Sequence, residues 1–422
     1  MDSFLLILIL FFIVSIAHFF KNNDEIPAFV ILFSLLCYLR LRALESGKAE
    51  WAEFDYGLYF IFDLEHAYIA WHYIAIGTLT LVLAYFFFFK ENKKPKIDTL
   101  DSFKTFLRKK EEFFFIGGAI FYVFKLFAGS SLSVGYSFLL GLASNSFIIF
   151  LFLLYFNSNL NLWKRIFFGI FLSLIAYSTY DPVTRFFFLG WSVPVVVYLF
   201  RNYHAIKKSV FYIVGLVIIS IVFSIGGLMR NYENWNKSTA QLVDEGLETF
   251  LLGHDINFID GFVMLHQVYP RHLDFHLGTD HLGILVRPIP RSLWSGKPEG
   301  AWQQKYAAKH NLEKFVTGIS PTIYGVFYGE GGVIAIIIFS ILYGYIFVRI
   351  KLYWERYSES IQYLIKGVFF AALIPLFRSG DLPGDISIIC MSYWPIFLFI
   401  YQYNKYLDKL EQLSVYEEIL IK

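Results

Sequence analysis

The chain is 422 residues long, 57% hydrophobic, 21% aromatic and only 17% charged, with a mean hydropathy of +0.54 and a formal net charge of +2. Soluble globular proteins carry about 25% charged residues, so this composition excludes an ordinary soluble domain, a disordered chain and a secreted disulfide scaffold, and it points to a membrane protein. The small net charge gives no footing for nucleic-acid binding, and Cys37 and Cys390 lie in apolar stretches that suit neither a disulfide framework nor a cysteine zinc site.

A bilayer core of about 30 Å needs about 20 mostly apolar residues in a helix. Windows of that kind fall near Phe4–Phe20, Pro27–Ala43, Ile69–Phe89, Phe113–Ala128, Tyr136–Phe156, Ile166–Tyr180, Val183–Phe200, Ser209–Met229, Gly332–Ile350, Ile361–Phe377 and Ile386–Tyr403. The expectation is an all-α, polytopic transmembrane bundle of about eleven spans, with ten or twelve fitting the same pattern. The first window follows Met-Asp-Ser without a basic leader or a small-residue cleavage site, and so reads as a retained span.

Basic clusters at Lys90–Lys110, Lys164/Arg165, Arg201/Lys207/Lys208, Arg349/Lys351/Arg356 and Lys405/Lys409 fall on one side if the spans alternate. The positive-inside rule makes that side cytoplasmic. Arg40, Arg42 and Lys48 are the misfits, since alternation puts them outside. The division expected is an N-terminal bundle over 1–229, an external loop over 230–331, C-terminal spans over 332–403 and a cytoplasmic tail over 404–422.

The loop between Met229 and Gly332 is the functional candidate, because connections longer than about 15 residues are usually functional or disordered. It holds six histidines, from His254 to His310, and enough Trp, Leu, Ile and Phe to pack against the membrane as short amphipathic helices. His272 and His276 are spaced to share a helical face, but Asp274 between them completes no known metal set, so they read as interfacial histidines and no metal is expected. No Walker loop, dinucleotide fingerprint, HExxH or G-x-S-x-G occurs.

The run Arg287-Pro288-Ile289-Pro290-Arg291-Ser292-Leu293-Trp294-Ser295-Gly296-Lys297-Pro298 sets three cations in a proline-stiffened segment. If it is extended, its two arginines stand about 12 Å apart and can converge on one diphosphate, which the planar guanidinium binds bidentately. The plain alternative is a solvated basic stripe at lipid headgroups. Arg185, Arg230 and Arg378 end or open apolar spans at the same outer interface, where each alone is explained by snorkelling and together they suggest a shared anionic ligand.

These segments, with Asp260-Gly261-Phe262, Leu277-Gly278-Thr279, Ser320-Pro321-Thr322, Tyr324 to Gly332 and Arg378-Ser379-Gly380-Asp381, resemble the Wzy-type O-antigen or oligosaccharide repeat-unit polymerases. The likeness runs from Arg230 to Asp385. It departs from the paired R-x10-G loops of some members, since positions 298 and 302 are Pro298 and Trp302. The resemblance implies a GT-C-like glycosyltransferase of the bacterial inner membrane. It would join undecaprenyl-diphosphate-linked repeat units at the periplasmic face, without metal or cofactor, beside a flippase and a chain-length regulator.

For that chemistry, cations must stabilise the departing diphosphate and a base must take the proton of the attacking hydroxyl. The residues expected to act are Asp260, Arg287 and Arg291 in catalysis, and Arg185, Arg230, Lys297 and Arg378 in substrate binding. Asp255, His281 and Glu330 are further acid or base candidates, and a structural hydrogen bond is the alternative role for each acid. A lipid-linked oligosaccharide flippase, an O-antigen ligase and a membrane O-acyltransferase are the rival functions. The concentration of polar residues in one external loop favours an outward-facing enzyme over a transporter.

Overall fold

A computed structural model describes residues 2–51, 60–90, 96–114, 116–118, 120, 134–157, 161–179, 185–204, 206–210, 214–215, 257–287, 289, 293–294, 296, 301–311 and 320–421. All regular structure among them is helical. Six helices are long and apolar enough to cross a membrane: Ser3–Asn22, Ile26–Glu45, Leu64–Phe88, Thr322–Trp354, Glu359–Arg378 and Leu382–Leu413. They make this a membrane protein, and each coincides with an expected window. The windows over Tyr136–Phe156, Ile166–Tyr180 and Val183–Phe200 fall on helices Val134–Asn157, Leu162–Thr179 and Arg185–Leu199, whose described parts are shorter. Those over Phe113–Ala128 and Ser209–Met229 lie largely outside the described residues.

The chain folds as two compact units, each built from separated stretches of sequence. The first unit, 1–90, 203–350 and 374–387, contains α1 (Ser3–Asn22), α2 (Ile26–Glu45) and α3 (Leu64–Phe88). Local chemistry sets their ends. Asp2 caps α1 by accepting from the Phe4 amide at 2.9 Å, Pro27 sits in the first turn of α2, and Asp63 caps α3 through the His66 amide at 2.8 Å. At the α1–α2 turn the buried Asp24 accepts from Tyr85 at 2.7 Å and lies 2.9 Å from His18 Nε2, so its charge is not left bare among apolar helices.

The second unit, 91–202, 351–373 and 388–422, holds α4 (Leu100–Lys109), α5 (Val134–Asn157), α6 (Leu162–Thr179) and α7 (Arg185–Leu199). In α4, Phe103, Phe106 and Leu107 are buried while Arg108 and Lys109 face outward, the pattern of an amphipathic helix at an interface. Buried Asp98, just before it, accepts from Ser358 Oγ at 2.7 Å and Tyr403 at 2.9 Å.

Between α3 and the last three helices come α8 (Phe258–Val268), α9 (Thr279–Val286) and α10 (Trp302–His310), followed by α11 (Thr322–Trp354), α12 (Glu359–Arg378) and α13 (Leu382–Ile421). The expected tail over 404–422 thus continues α13 as helix. α8 is not the amphipathic surface helix expected of this loop. Its sequence is apolar almost all round, and ten of its residues, from Phe258 to Val268, are buried. α11 breaks at Gly331 and Gly332, the latter at φ +67°, which divides it into a short helix before the break and a membrane-length helix after it.

Small residues bring these helices into contact, as is usual where no water drives helix association. A Cβ at Gly344 would stand 2.7 Å from the Leu81 carbonyl oxygen and 2.9 Å from Ala84 Cβ, so α11 and α3 meet backbone to backbone. Overpacking of this kind costs about 1–3 kcal/mol. Gly344→Leu should therefore lower the detergent melting temperature and the yield of monodisperse protein, and a variant as stable as the parent would contradict the close approach.

Candidate functional site

The polar groups of the first unit gather where the 257–311 segment meets the two ends of the break in α11. Glu330, the last residue before that break, is buried and accepts from the start of α9: from the amide of its N-cap Gly278, and at 3.2 and 3.0 Å from the amide and Nδ1 of His281. The backbone joins in, with the His276 amide donating to the Gly329 carbonyl at 2.9 Å and the Leu277 amide to the Glu330 carbonyl at 2.8 Å. Gly278, at φ +88°, turns the chain so that the amides of Leu277, Gly278 and His281 all face this one residue.

A carboxylate only accepts, so the proton of neutral His281 sits on Nδ1 and its Nε2 carries the lone pair. Nε2 is covered and has no hydrogen-bond partner. The ring lies flat on Phe339, with centroids 3.9 Å apart and planes 4° from parallel, and also against Phe327 at 5.9 Å. Two acid or base candidates of the sequence, Glu330 and His281, thus form one oriented dyad.

At the other end of α9, Arg287 Nη2 donates to Asp381 Oδ2 at 3.2 Å. Asp381 follows Arg378, which ends α12, and also accepts from the Gly384 amide at 3.2 Å, while Ser379 donates to Asp385 at 2.8 Å. The extended geometry expected from Arg287 onward does not begin at Arg287 itself: the residue has helical angles, φ −55° and ψ −39°, and its amide still donates to the Gly283 carbonyl at 2.9 Å. The prolines that resist helix lie beyond it.

A small cavity of about 10 Å³, room for little more than one water molecule, is lined by Leu265, Tyr269, Asp280, Trp302, Gly380 and Asp381 among others. Asp280 lies 3.0 Å from His276 Nδ1 and accepts from Lys305, and the other nitrogen of His276 lies 3.0 Å from the Tyr269 hydroxyl. Burial works to raise the Asp280 pKa, but the His276 hydrogen bond and the Lys305 charge outweigh it and hold the carboxyl below its ordinary range. Burial, reinforced by the charges of Asp280 and Glu330, pushes the Tyr269 phenol up, so it remains a neutral donor. His266 in α8 is shifted down by burial and by the nearby His66 and Arg271.

Asp260, the expected general base, is placed differently. It is fully buried in α8, and Arg40 grips both its oxygens, Nε at 3.0 Å and Nη2 at 3.1 Å. A carboxylate so enclosed is a structural ion pair in this conformation. Arg40 is one of the three misfits of the loop-charge pattern, and the pair explains that one: an arginine inside an apolar window needs a partner, and Asp260 is that partner. His272 and His276 share no helical face, since 271–276 form turns and coil; His272 packs on Tyr306 and His310. Arg230, Asp255, Arg291 and Lys297 lie outside the described residues, as does the side chain of Arg185, the first residue of α7.

Sequence reasoning missed Arg40, Tyr269, Asp280 and Lys305. The spacing of His276 and Asp280 was the one local signal, and nothing in the sequence marks Lys305 as their neighbour. The chain matches no protein-family model, no curated protein and no solved structure.

The direction of the Asp280 shift fixes a pH dependence. A carboxyl held low in the folded state contributes stability that is complete above its unfolded value of about 4 and is lost as pH falls through the folded value. Lys305→Met removes one of the causes and should move the acid-induced loss of amide protection in residues 276–287 to higher pH. An unchanged acid profile by hydrogen exchange would show that Lys305 does not hold Asp280.

Proposed function

We propose that the chain is a membrane glycosyltransferase that polymerises undecaprenyl-diphosphate-linked oligosaccharide repeat units at the periplasmic face of a bacterial inner membrane. The reading takes the bundle to have about eleven spans and a GT-C-like architecture, with a flippase and a chain-length regulator as working partners. One observation carries it: α9 holds an oriented base, His281 on Glu330, at one end and a cation, Arg287 on Asp381, at the other, and the anchors lie just before the membrane-length part of α11 and in the turn between the apolar helices α12 and α13. A lipid-linked diphosphate needs that combination of cation and base beside the bilayer.

In the reaction, a hydroxyl of the acceptor sugar attacks the anomeric carbon of the donor. Its proton passes to His281 Nε2, and Glu330 stabilises the imidazolium that forms. The bond from the anomeric carbon to the diphosphate oxygen breaks, and the electron pair leaves with undecaprenyl diphosphate. Arg287 turns from Asp381 to the phosphate oxygens as charge develops on them, with Arg291, Lys297 and Arg378 as further donors. Nε2 is covered by its aromatic wall, so α9 shifts before the acceptor reaches it.

The test is polymerisation of purified lipid-linked repeat units by the reconstituted protein. His281→Ala and Arg287→Ala should each lower turnover about 10²–10³-fold, the scale of one transition-state donor, and Arg287→Lys should rescue poorly because a point charge lacks the bidentate fork. Asp260→Asn should instead lower thermal stability and leave the turnover of the folded fraction near that of the parent. Normal chains from both His281→Ala and Arg287→Ala would refute this site. Transbilayer movement of the repeat unit without chain growth would replace the enzyme with a transporter.

A further inference from the structure

We infer that α9 is embedded in the membrane, with its leucine face among the acyl chains of the bilayer beside the first turns of the spanning part of α11. Three observations place it there, and none depends on the glycosyltransferase reading.

The first is depth. His281 stacks on Phe339 and meets Tyr343 edge-on at 6.0 Å. These residues lie seven and eleven positions past the break at Gly332, which at 1.5 Å per residue is about 10 and about 16 Å along a helix of membrane length. The same ring is held by Glu330, two residues before Gly332, so α9 lies along the first turns of the spanning helix, onto which Phe339 and Tyr343 reach back.

The second is the division of α9 into faces. One side is fastened to the protein by Glu330 and Asp381, and Gly283 lets it approach Pro383, where an added Cβ would stand only 3.1 Å from the ring. The other side and the turn before it expose Leu277 at 82%, Leu282 at 62% and Leu285 at 76%. Polar groups sit at the two ends, Thr279 and Asp280 at one and Arg287 at the other, where headgroups and water can reach them.

The third is continuity. The same spanning helix exposes Ile334 at 71% and Ile338 at 57%, residues that in a membrane-crossing helix face lipid. Phe339, the residue next to Ile338, is the one on which His281 stacks, so the exposed leucines of α9 belong to the helix that packs beside these isoleucines. Their composition matches hydrocarbon chains: the exposed residues are branched aliphatics with no charge among them, unlike the aromatic and arginine-rich centre of a protein interface. The first amides of α9 are satisfied, Thr279 by the His276 carbonyl, His281 by Glu330 and Leu282 by the Gly278 carbonyl, which lowers the cost of placing this end of a short segment in hydrocarbon.

The experiment uses the unaltered chain. It is reconstituted in phosphatidylcholine–phosphatidylglycerol vesicles that contain a phosphatidylcholine with a diazirine on its acyl chain, photolysed and mapped by mass spectrometry. A parallel sample is labelled with a water-soluble carbene reagent. The expected result is acyl-chain adducts on Leu282 and Leu285 within about threefold of the yield on Ile334 and Ile338, the internal standard for lipid exposure, with aqueous labelling confined to residues such as Asp274 and Lys309. Aqueous adducts on Leu282 and Leu285 would overturn the inference, and so would protection from both reagents, which would mean that another protein surface covers them.

Discussion

The site depends on one buried carboxylate. Glu330 ends the short half of α11 where Gly331 and Gly332 break the helix, and burial there would be costly for an unpaired charge. It is matched by the N-terminal end of α9, whose amides and His281 ring all donate to it, and a helix N-terminus favours a negative charge. The same contact therefore anchors α9, sets the register of residues 276–281 on α11 and selects which histidine nitrogen keeps its lone pair. Arg287, at the far end of α9, is placed by consequence: a helix fixed at its first turn delivers its last residue to Asp381.

Other buried charges in the first unit obey the same rule. Arg40 and Asp260 join α2 to α8 with nothing exposed, and Asp24 is shared by His18 and Tyr85 at the turn between α1 and α2. Such pairs add little net stability over an apolar replacement, but losing one partner leaves an uncompensated charge, at a cost of about 3–5 kcal/mol. They pin α8, a helix with no solvent-facing side, to the bundle that supports the site.

Much of this was legible in the sequence. Periodicity is irrelevant to a helix surrounded by lipid, and length and apolarity alone located Ser3–Asn22, Ile26–Glu45 and Leu64–Phe88 as well as the helices after residue 322. Within the loop, composition identified Arg287, His281 and Glu330 as chemically interesting, but it could not pair them, because the residues of the dyad are 49 apart in sequence and 94 separate Arg287 from Asp381. Asp260, singled out by the family resemblance, has the structural contact that was its alternative role: α8 is apolar enough to be swallowed whole, and the partner Arg40 lies 220 residues away. Lys305 had no local mark at all; only the fold brings it to Asp280.

The central claim is that Glu330 fixes His281 with its proton on Nδ1 and a bare Nε2. Nitrogen NMR of histidine-labelled protein reads this directly, with the His281 resonances assigned by their loss in His281→Gln. In its neutral form the His281 of the parent should give a protonated Nδ1 and an unprotonated Nε2, and Glu330→Gln should shift or mix the two forms. A His281 that carries its proton on Nε2 in the parent, or one whose tautomer is indifferent to Glu330→Gln, would contradict the account.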